Sequence, residues 1–179
     1  MWARVESGSV TKVYARPTAI TVGDVNYPQN VMQMWSALEL KDLDIYEITT
    51  DSTNYKNPEY YNNTDITYTY ASGAVTGAYG TATAKTLTTL KTRHKESVNS
   101  QASVLLQKYD WYTLREASGG TATPSAVTTY QAAVRTSSDS MNTAIDDASD
   151  VDGLAALYVY NSDDPPVRPI GEFPNEPEI

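Results

Sequence analysis

Short runs of alternating apolar and polar residues fill the first 80 positions and predict β-strands. The first two, Trp2–Val5 and Val10–Tyr14, flank Glu6-Ser7-Gly8-Ser9, a glycine-containing loop that favours a hairpin. The later strand candidates are Ala19–Val22, Val25–Tyr27, Ile45–Ile48, Ile66–Tyr70 and Ala74–Tyr79. Gly23-Asp24 is a second candidate turn, and Ala71-Ser72-Gly73 predicts a third hairpin. Two helical stretches interrupt them, Val31–Trp35 and a turn through Leu43 that the capping-box pattern Ser36-x-x-Glu39 would begin. We therefore expect a small β-rich domain over residues 1–82.

The spacing of apolar residues changes after position 84. From Ala84 to Tyr109 they recur every three or four positions, which indicates one face of a long helix. A second helix is predicted from Pro124 or Ser125 to Ala148, and Asp150 is placed to cap a short third one, Val151–Tyr158. The linker between the long helices allows an antiparallel αα-hairpin over residues 83–160. The residues expected to be buried, in this hairpin or against a neighbouring chain, are Leu87, Leu90, Leu105, Val127, Val134 and Ile145.

Residues 161–179 form an acidic arm rich in proline. It holds five of the nine prolines: Pro165, Pro166, Pro169, Pro174 and Pro177. Proline removes backbone donors, so we expect an extended conformation. Its stiffness and scattered apolar residues favour docking on another subunit through Pro166, Ile170 and, as the anchor, Phe173. The alternative is that the arm lies along its own helices. With docking in trans, deletion of residues 163–179 would leave the stability of the isolated chain nearly unchanged. The predicted fold class is α+β.

Charge and composition exclude several classes of function. The net charge is −9, and neutralising phosphates requires clustered Lys and Arg, so we expect no nucleic-acid partner. No stretch approaches the roughly 18 apolar residues of a membrane span, and we expect no membrane partner. The chain has no cysteine and a single histidine, His94. That composition removes thiolate zinc sites and cysteine catalysis, so we predict no metal and no cofactor.

An acidic run and a histidine could in principle bind a metal or catalyse a reaction, but neither lies in a functional motif. The acidic run Asp146–Gly153 fails the calcium-loop register, because Gly153 at the sixth position places Ala148 at the first and Val159 at the twelfth. His94 falls on the predicted helix seam without a nucleophile or an orienting carboxylate in a recognisable motif. We expect His94 to be a packed residue and the chain not to be an enzyme.

Tyrosines are concentrated between positions 55 and 70. They are Tyr55, Tyr60, Tyr61, Tyr68 and Tyr70. One interpretation is strand packing and loop cover. The other is a protein–protein contact surface, in which tyrosine is enriched; on that interpretation Tyr55, Tyr60 and Tyr61 bind a partner.

The most distinctive segment runs from Ser103 to Arg115 and contains LL-x-x-x-DWY-x-x-R, followed after a gap by P-x-x-V-x-x-Y-x-x-x-V-R from Pro124 to Arg135. This pattern resembles the C-terminal helical domain of tail-fibre-associated and tail-fibre-assembly proteins of tailed bacteriophages. The N-terminal stretch from Val13 to Glu47 resembles the small β domain that precedes it. The structural motif residues are Leu105, Leu106, Asp110, Trp111, Arg115 and Arg135. We expect the two leucines to close the apolar face of the first helix and Trp111 to fold back over the helix pair. Asp110 would hold the turn, with Arg115 or Arg135 as its partner.

The resemblance implies a structural component of a bacteriophage tail, associated with the tail fibre or baseplate. Its partners would be other tail or fibre proteins, in several copies within a symmetric assembly. It would be made in the bacterial cytoplasm and retained in the virion. The alternative is a tail-fibre assembly chaperone that leaves before the particle is complete. A cell-wall hydrolase would need two carboxylates in one cleft, and most acids here fall in loops, helix ends and the arm.

Overall fold

The chain divides into two units, which the computed structural model describes over residues 1–179. They are Met1–Thr83 and Ala84–Ile179. In chain order the strands are β1 Trp2–Glu6, β2 Ser9–Tyr14, β3 Ile20–Val22, β4 Val25–Tyr27, β5 Ile45–Asp51, β6 Tyr61–Asn62, β7 Ile66–Ala71, β8 Ala74–Tyr79 and β9 Thr83–Ala84. The helices are α1 Val31–Met34, α2 Ala37–Lys41, α3 Leu87–Gln107, α4 Asp110–Ala117, α5 Ser125–Asp147 and α6 Val151–Ala156. The fold class is α+β, as the sequence predicts. No helix is long and apolar enough to cross a membrane.

A five-stranded sheet in the order β2-β1-β5-β8-β7 forms the centre of the first unit. Its two hairpins, β1–β2 and β7–β8, are joined through β5, which pairs antiparallel with β1 and parallel with β8. Two further pairs, β3–β4 and β6–β9, lie outside this sheet. Ser36 and Glu39 form the predicted capping box at the start of α2. The hairpins and the cap are therefore confirmed, whereas the strands β6 and β9 were not predicted.

Strand β5 is buried on both faces and so divides the core of the first unit in two. Ile45 belongs to a cluster with Tyr14, Ile20, Val31, Met32 and Leu40. Tyr46 and Ile48 belong to another cluster, with Ala3, Val5 and Val75. Successive side chains of a strand point to opposite faces of the sheet, so Ile45 and its neighbour Tyr46 pack in different clusters.

Gly77 has no room for a larger side chain. It pairs with Tyr68 across the β7–β8 ladder, and a Cβ at Gly77 would lie 2.9 Å from Tyr68 Cε1 and 3.0 Å from Ile66 Cγ2. We expect Gly77→Ala to lower the free energy of unfolding by about 1–3 kcal/mol, because the added methyl overpacks this face. Urea denaturation measures it. Ala74→Ser, at an exposed position of the same strand, should stay within about 0.5 kcal/mol. A stabilised Gly77→Ala variant would contradict the packing.

The two long helices of the second unit pack against each other and run antiparallel. Three pairs of side chains mark the direction: Lys95 with Asp146, Asn99 with Asn142, and Tyr109 with Tyr130. On α3 the buried residues are Leu90, His94, Val98 and Ala102, and on α5 they include Val127, Tyr130, Val134, Met141 and Ile145. Leu87 and Leu105 are only half-buried in the single chain, so they are not core residues of the hairpin, and their burial against a neighbouring chain stays a prediction. They lie at the margin of the face that α5 covers.

The segment between the long helices is helical, not an open linker. Asp110, Trp111 and Tyr112 follow the end of the predicted first helix at Tyr109 and begin α4. Only Ser118–Pro124 connects α4 to α5, and Gly119 takes a positive φ of 80° at that turn. Asp150 caps α6 as predicted, since its carboxylate accepts a hydrogen bond from the Gly153 amide. The arm predicted as a separate piece lies within the second unit.

Candidate partner-binding surfaces

The proline-rich arm packs on the helices of its own chain. The Ile170 amide donates to the Leu157 carbonyl at 3.0 Å, and the Ile170 side chain is 6% exposed. Phe173 packs against the cluster of Ala102, Tyr109, Val127, Tyr130 and Val134. In the isolated chain Ile170 and Phe173 therefore pack in cis, the alternative that the sequence left open, and docking on another subunit stays a prediction. The arm is tethered to its own helices, so their effective concentration near it is high. Its apolar anchors therefore bind those helices in preference to the helices of a second chain.

Pro166, the third predicted contact of the arm, is exposed. It lies in a loop before the anchors, and it remains free for a partner.

Two glutamates attach the arm through polar contacts. Glu176 binds the Lys108 ammonium and the Tyr109 hydroxyl, and the Lys108 hydrogen bond holds the pKa of Glu176 below its usual range. Glu172 accepts from Arg168 at 2.7 Å and from the Tyr160 hydroxyl at 2.9 Å. Burial raises the pKa of Glu172, but these hydrogen bonds outweigh it and the pKa is lowered overall. Both contacts are largely exposed, so each stabilises the docked arm only modestly.

We expect acid to loosen the arm. The two pKa values are lower in the folded chain, so the carboxylates contribute stability above the unfolded value of about 4.3 and lose it as the pH falls through the folded values. The Ile170 amide resonance, followed by NMR between about pH 6 and pH 3, should move toward that of a released arm. The double variant Glu172→Gln, Glu176→Gln is the control and should show a smaller pH response. An equal response in both proteins would contradict the assignment.

The tyrosines of the predicted contact surface differ in exposure. Tyr60 is 3% exposed, so its prediction as a partner contact is wrong. Tyr61 is half-buried, with the Lys56 ammonium 4.6 Å from the centre of its ring. The Tyr70 hydroxyl lies 3.2 Å from that of Tyr46, and this hydrogen bond together with burial raises the pKa of Tyr46 to about 12. Tyr55 is exposed, with its ring 4.9 Å from that of Tyr79; it alone keeps the expected accessibility.

The LL-x-x-x-DWY motif is split between two helices. Leu105 and Leu106 pack half-buried against the same cluster as Phe173. Asp110 and Arg135 line one groove of about 430 Å³, together with Asn99, Ala102, Ser103, Leu106 and Gln107. Asp110 and Arg135 therefore line the same groove, but no hydrogen bond or ion pair joins them. Arg115 instead donates to the carbonyls of Thr121 and Ala122.

Trp111 does not fold back over the helix pair. It is half exposed on α4, with its ring 3.8 Å from that of Tyr112 and 4.9 Å from the Arg115 guanidinium. This is a correction of the predicted role. The cause is α4 itself, because a helix that begins at Asp110 turns the indole away from the α3–α5 packing. Leu114, one turn further, is also exposed. We call Trp111 and Leu114 the α4 surface.

The first unit carries an apolar surface that the sequence analysis missed. Met34 is 76% exposed and Leu38 is 73% exposed. Trp35 and Val25 are exposed as well, and the Trp35 ring packs edge-on against Tyr27 at 5.6 Å. Met34, Trp35 and Leu38 are called the α1–α2 surface below. Val31, Met32 and Leu40 of the same segment point into the core. The sequence contained an indication of this exposed surface, because residues 31–40 hold more large apolar residues than one buried face accommodates.

These surfaces have the chemistry of contact sites. The free energy falls when a partner covers large apolar side chains and removes them from water. No group of three or more His, Cys, Asp or Glu side chains is arranged to hold a metal ion. The chain matches no protein-family model, no curated protein and no solved structure.

Proposed function

We propose that this protein is a structural component of a bacteriophage tail, associated with the tail fibre or the baseplate, that attaches other tail proteins. The resemblance of the LL-x-x-x-DWY segment and of the N-terminal β domain supports the class. The finer organisation belongs to this proposal as well: a β domain, a helical hairpin of α3 and α5, and an arm. Its partners are other tail proteins, and its place is the virion.

The α1–α2 surface is the observation that carries an attachment role. Two short helices of four and five residues hold Met34, Trp35 and Leu38 outward while Val31, Met32 and Leu40 anchor them to the core. A cap formed by Ser36 and Glu39 fixes the second helix. Large apolar side chains on such a fixed element form a preorganised contact, because little entropy is lost when a partner covers them.

Leu38→Glu tests this role. A carboxylate in the first turn of α2 suits the helix dipole, so the fold should persist. A partner would have to desolvate the new charge, and we expect incorporation into phage particles to fall on the order of tenfold or more. The control is Thr49→Glu, which adds the same charge at an exposed position of β5. Equal incorporation of both variants would contradict attachment through this surface.

A further inference from the structure

The arm is joined to the helices by a small loop that a single side chain organises. Asn161 Oδ1 accepts from the amides of Asp163 and Val167, at 3.2 and 2.9 Å. The Asn161 amide donates to the Val167 carbonyl at 2.8 Å, and its Nδ2 binds the Asp163 carboxylate. All seven residues of 161–167 are exposed. The loop therefore owes its closed form to its own hydrogen bonds, and opening it removes no side chain from a core.

The contacts that dock the arm all come after this loop. Ile170 binds Leu157 through its amide, Glu172 binds Tyr160, Phe173 packs on the α3–α5 cluster and Glu176 binds Lys108. Each of these joins a residue of 168–179 to a residue before Asn161. A second copy of the chain presents the same receiving residues, so its helices accept the same arm with the same contacts.

The receiving surface offers the arm both an apolar and a charged contact. Its apolar site is the cluster of Ala102, Tyr109, Val127, Tyr130 and Val134, against which Phe173 packs, and its charged contact is the Lys108 ammonium, which binds Glu176. The arm supplies an aromatic ring at Phe173 and a carboxylate three residues later at Glu176. An arm that leaves its own helices exposes this site and its own Ile170 to water. Both apolar surfaces are covered again when two open chains exchange arms.

We propose that residues 161–167 are a hinge and that two copies of the chain exchange residues 168–179, each arm docking on α3 and α5 of the other copy. The hinge is long enough: seven residues, fully extended, span roughly 23 Å. Exchange of identical segments gives a closed, two-fold interface without any new contact. This inference goes beyond the proposed function and concerns the chain alone, so it does not depend on a phage partner.

Concentration decides between the closed and the exchanged form. A short tether holds the arm near its own site at an effective concentration on the order of millimolar. Dilute chains should therefore be closed monomers, and chains held together at millimolar local concentration should exchange. Loss of the Asn161 hydrogen bonds weakens only the closed form, because the docked contacts are common to both.

Isotope-coded crosslinking of the full chain tests the exchange. Equal amounts of ¹⁴N-labelled and ¹⁵N-labelled protein are incubated together at about 1 µM, far below the effective concentration, and at about 1 mM, close to it. A carbodiimide then couples Lys108 to Glu176, a contacting amine and carboxylate. Mass spectrometry shows whether the two crosslinked peptides carry the same isotope or different ones. Light scattering on the same samples gives the mass in solution.

At the low concentration we expect crosslinks that join peptides of the same isotope. At the high concentration we expect a dimer and additional crosslinks that join peptides of different isotopes. Asn161→Ala should lower the concentration of half-exchange on the order of tenfold, and Asn175→Ala, an exposed arm position, should leave it unchanged. Crosslinks of one isotope alone at millimolar wild-type concentration would overturn the proposal, with or without a dimer. That wild-type result decides even if Asn161→Ala does not fold.

Discussion

Replacing Ile170 by alanine is expected to lower the free energy of unfolding by about 2–5 kcal/mol, the cost of a cavity at a buried isoleucine. The side chain is 6% exposed, and its amide is bonded to Leu157. The arm therefore belongs to the fold of the second unit. Deletion of residues 163–179 should also destabilise the isolated chain, in contrast to the expectation from sequence. Urea denaturation followed by circular dichroism measures both.

Val167→Ala is the matched control for Ile170→Ala. Val167 lies three residues earlier in the same arm but is 50% exposed, so its truncation should stay within about 0.5 kcal/mol. Equal, small effects of the two substitutions would mean that the arm is undocked in solution.

Replacing Ile145 by alanine is expected to cost about 2–5 kcal/mol as well. Ile145 is fully buried on α5, where the packing against α3 leaves little room for the helices to close over a cavity. Leu114→Ala is the control, because it removes a similar aliphatic side chain from the exposed face of α4 and should change stability by less than about 0.5 kcal/mol. A loss below about 1 kcal/mol for Ile145→Ala would show that the two long helices are not packed together.

Local features of the fold could be predicted from the sequence. The hairpins β1–β2, β3–β4 and β7–β8 follow from alternating residues around glycine turns, and the caps at Ser36 and Asp150 follow from residues three positions apart. The buried seams of α3 and α5 follow from the helical period. Each of these depends on neighbours within a few residues, which a pattern can record.

Long-range features could not be predicted. The parallel pairing of β5 with β8 joins strands separated by two others in the chain, and no local pattern encodes that choice. Helix α4 was missed because Asp110, Trp111 and Tyr112 depart from the seam of α3, although each is compatible with a helix. The path of the arm depends on where Leu157, Lys108 and the α3–α5 cluster meet in space. Proline content alone predicted an extended segment but not its receiving site.

The candidate surfaces show the same limit. Clustering in the sequence suggested Tyr60 as a contact, yet the fold buries it. Met34 and Leu38 fall in predicted helical stretches, and only the burial of Val31, Met32 and Leu40 on the other side shows that they face outward. Exposure is a property of the folded chain, so a partner surface emerges only after the core is assigned.

Mass spectrometry of purified virions tests the proposed function most directly. The proposal requires that a phage encodes the chain, and the particles of that phage are purified through two density gradients and crosslinked before digestion. The account predicts peptides of this protein in several copies per particle, with crosslinks from Lys41, beside the α1–α2 surface, to another tail protein. Its presence in the infected cell but absence from finished particles would contradict a structural component and support the departing chaperone.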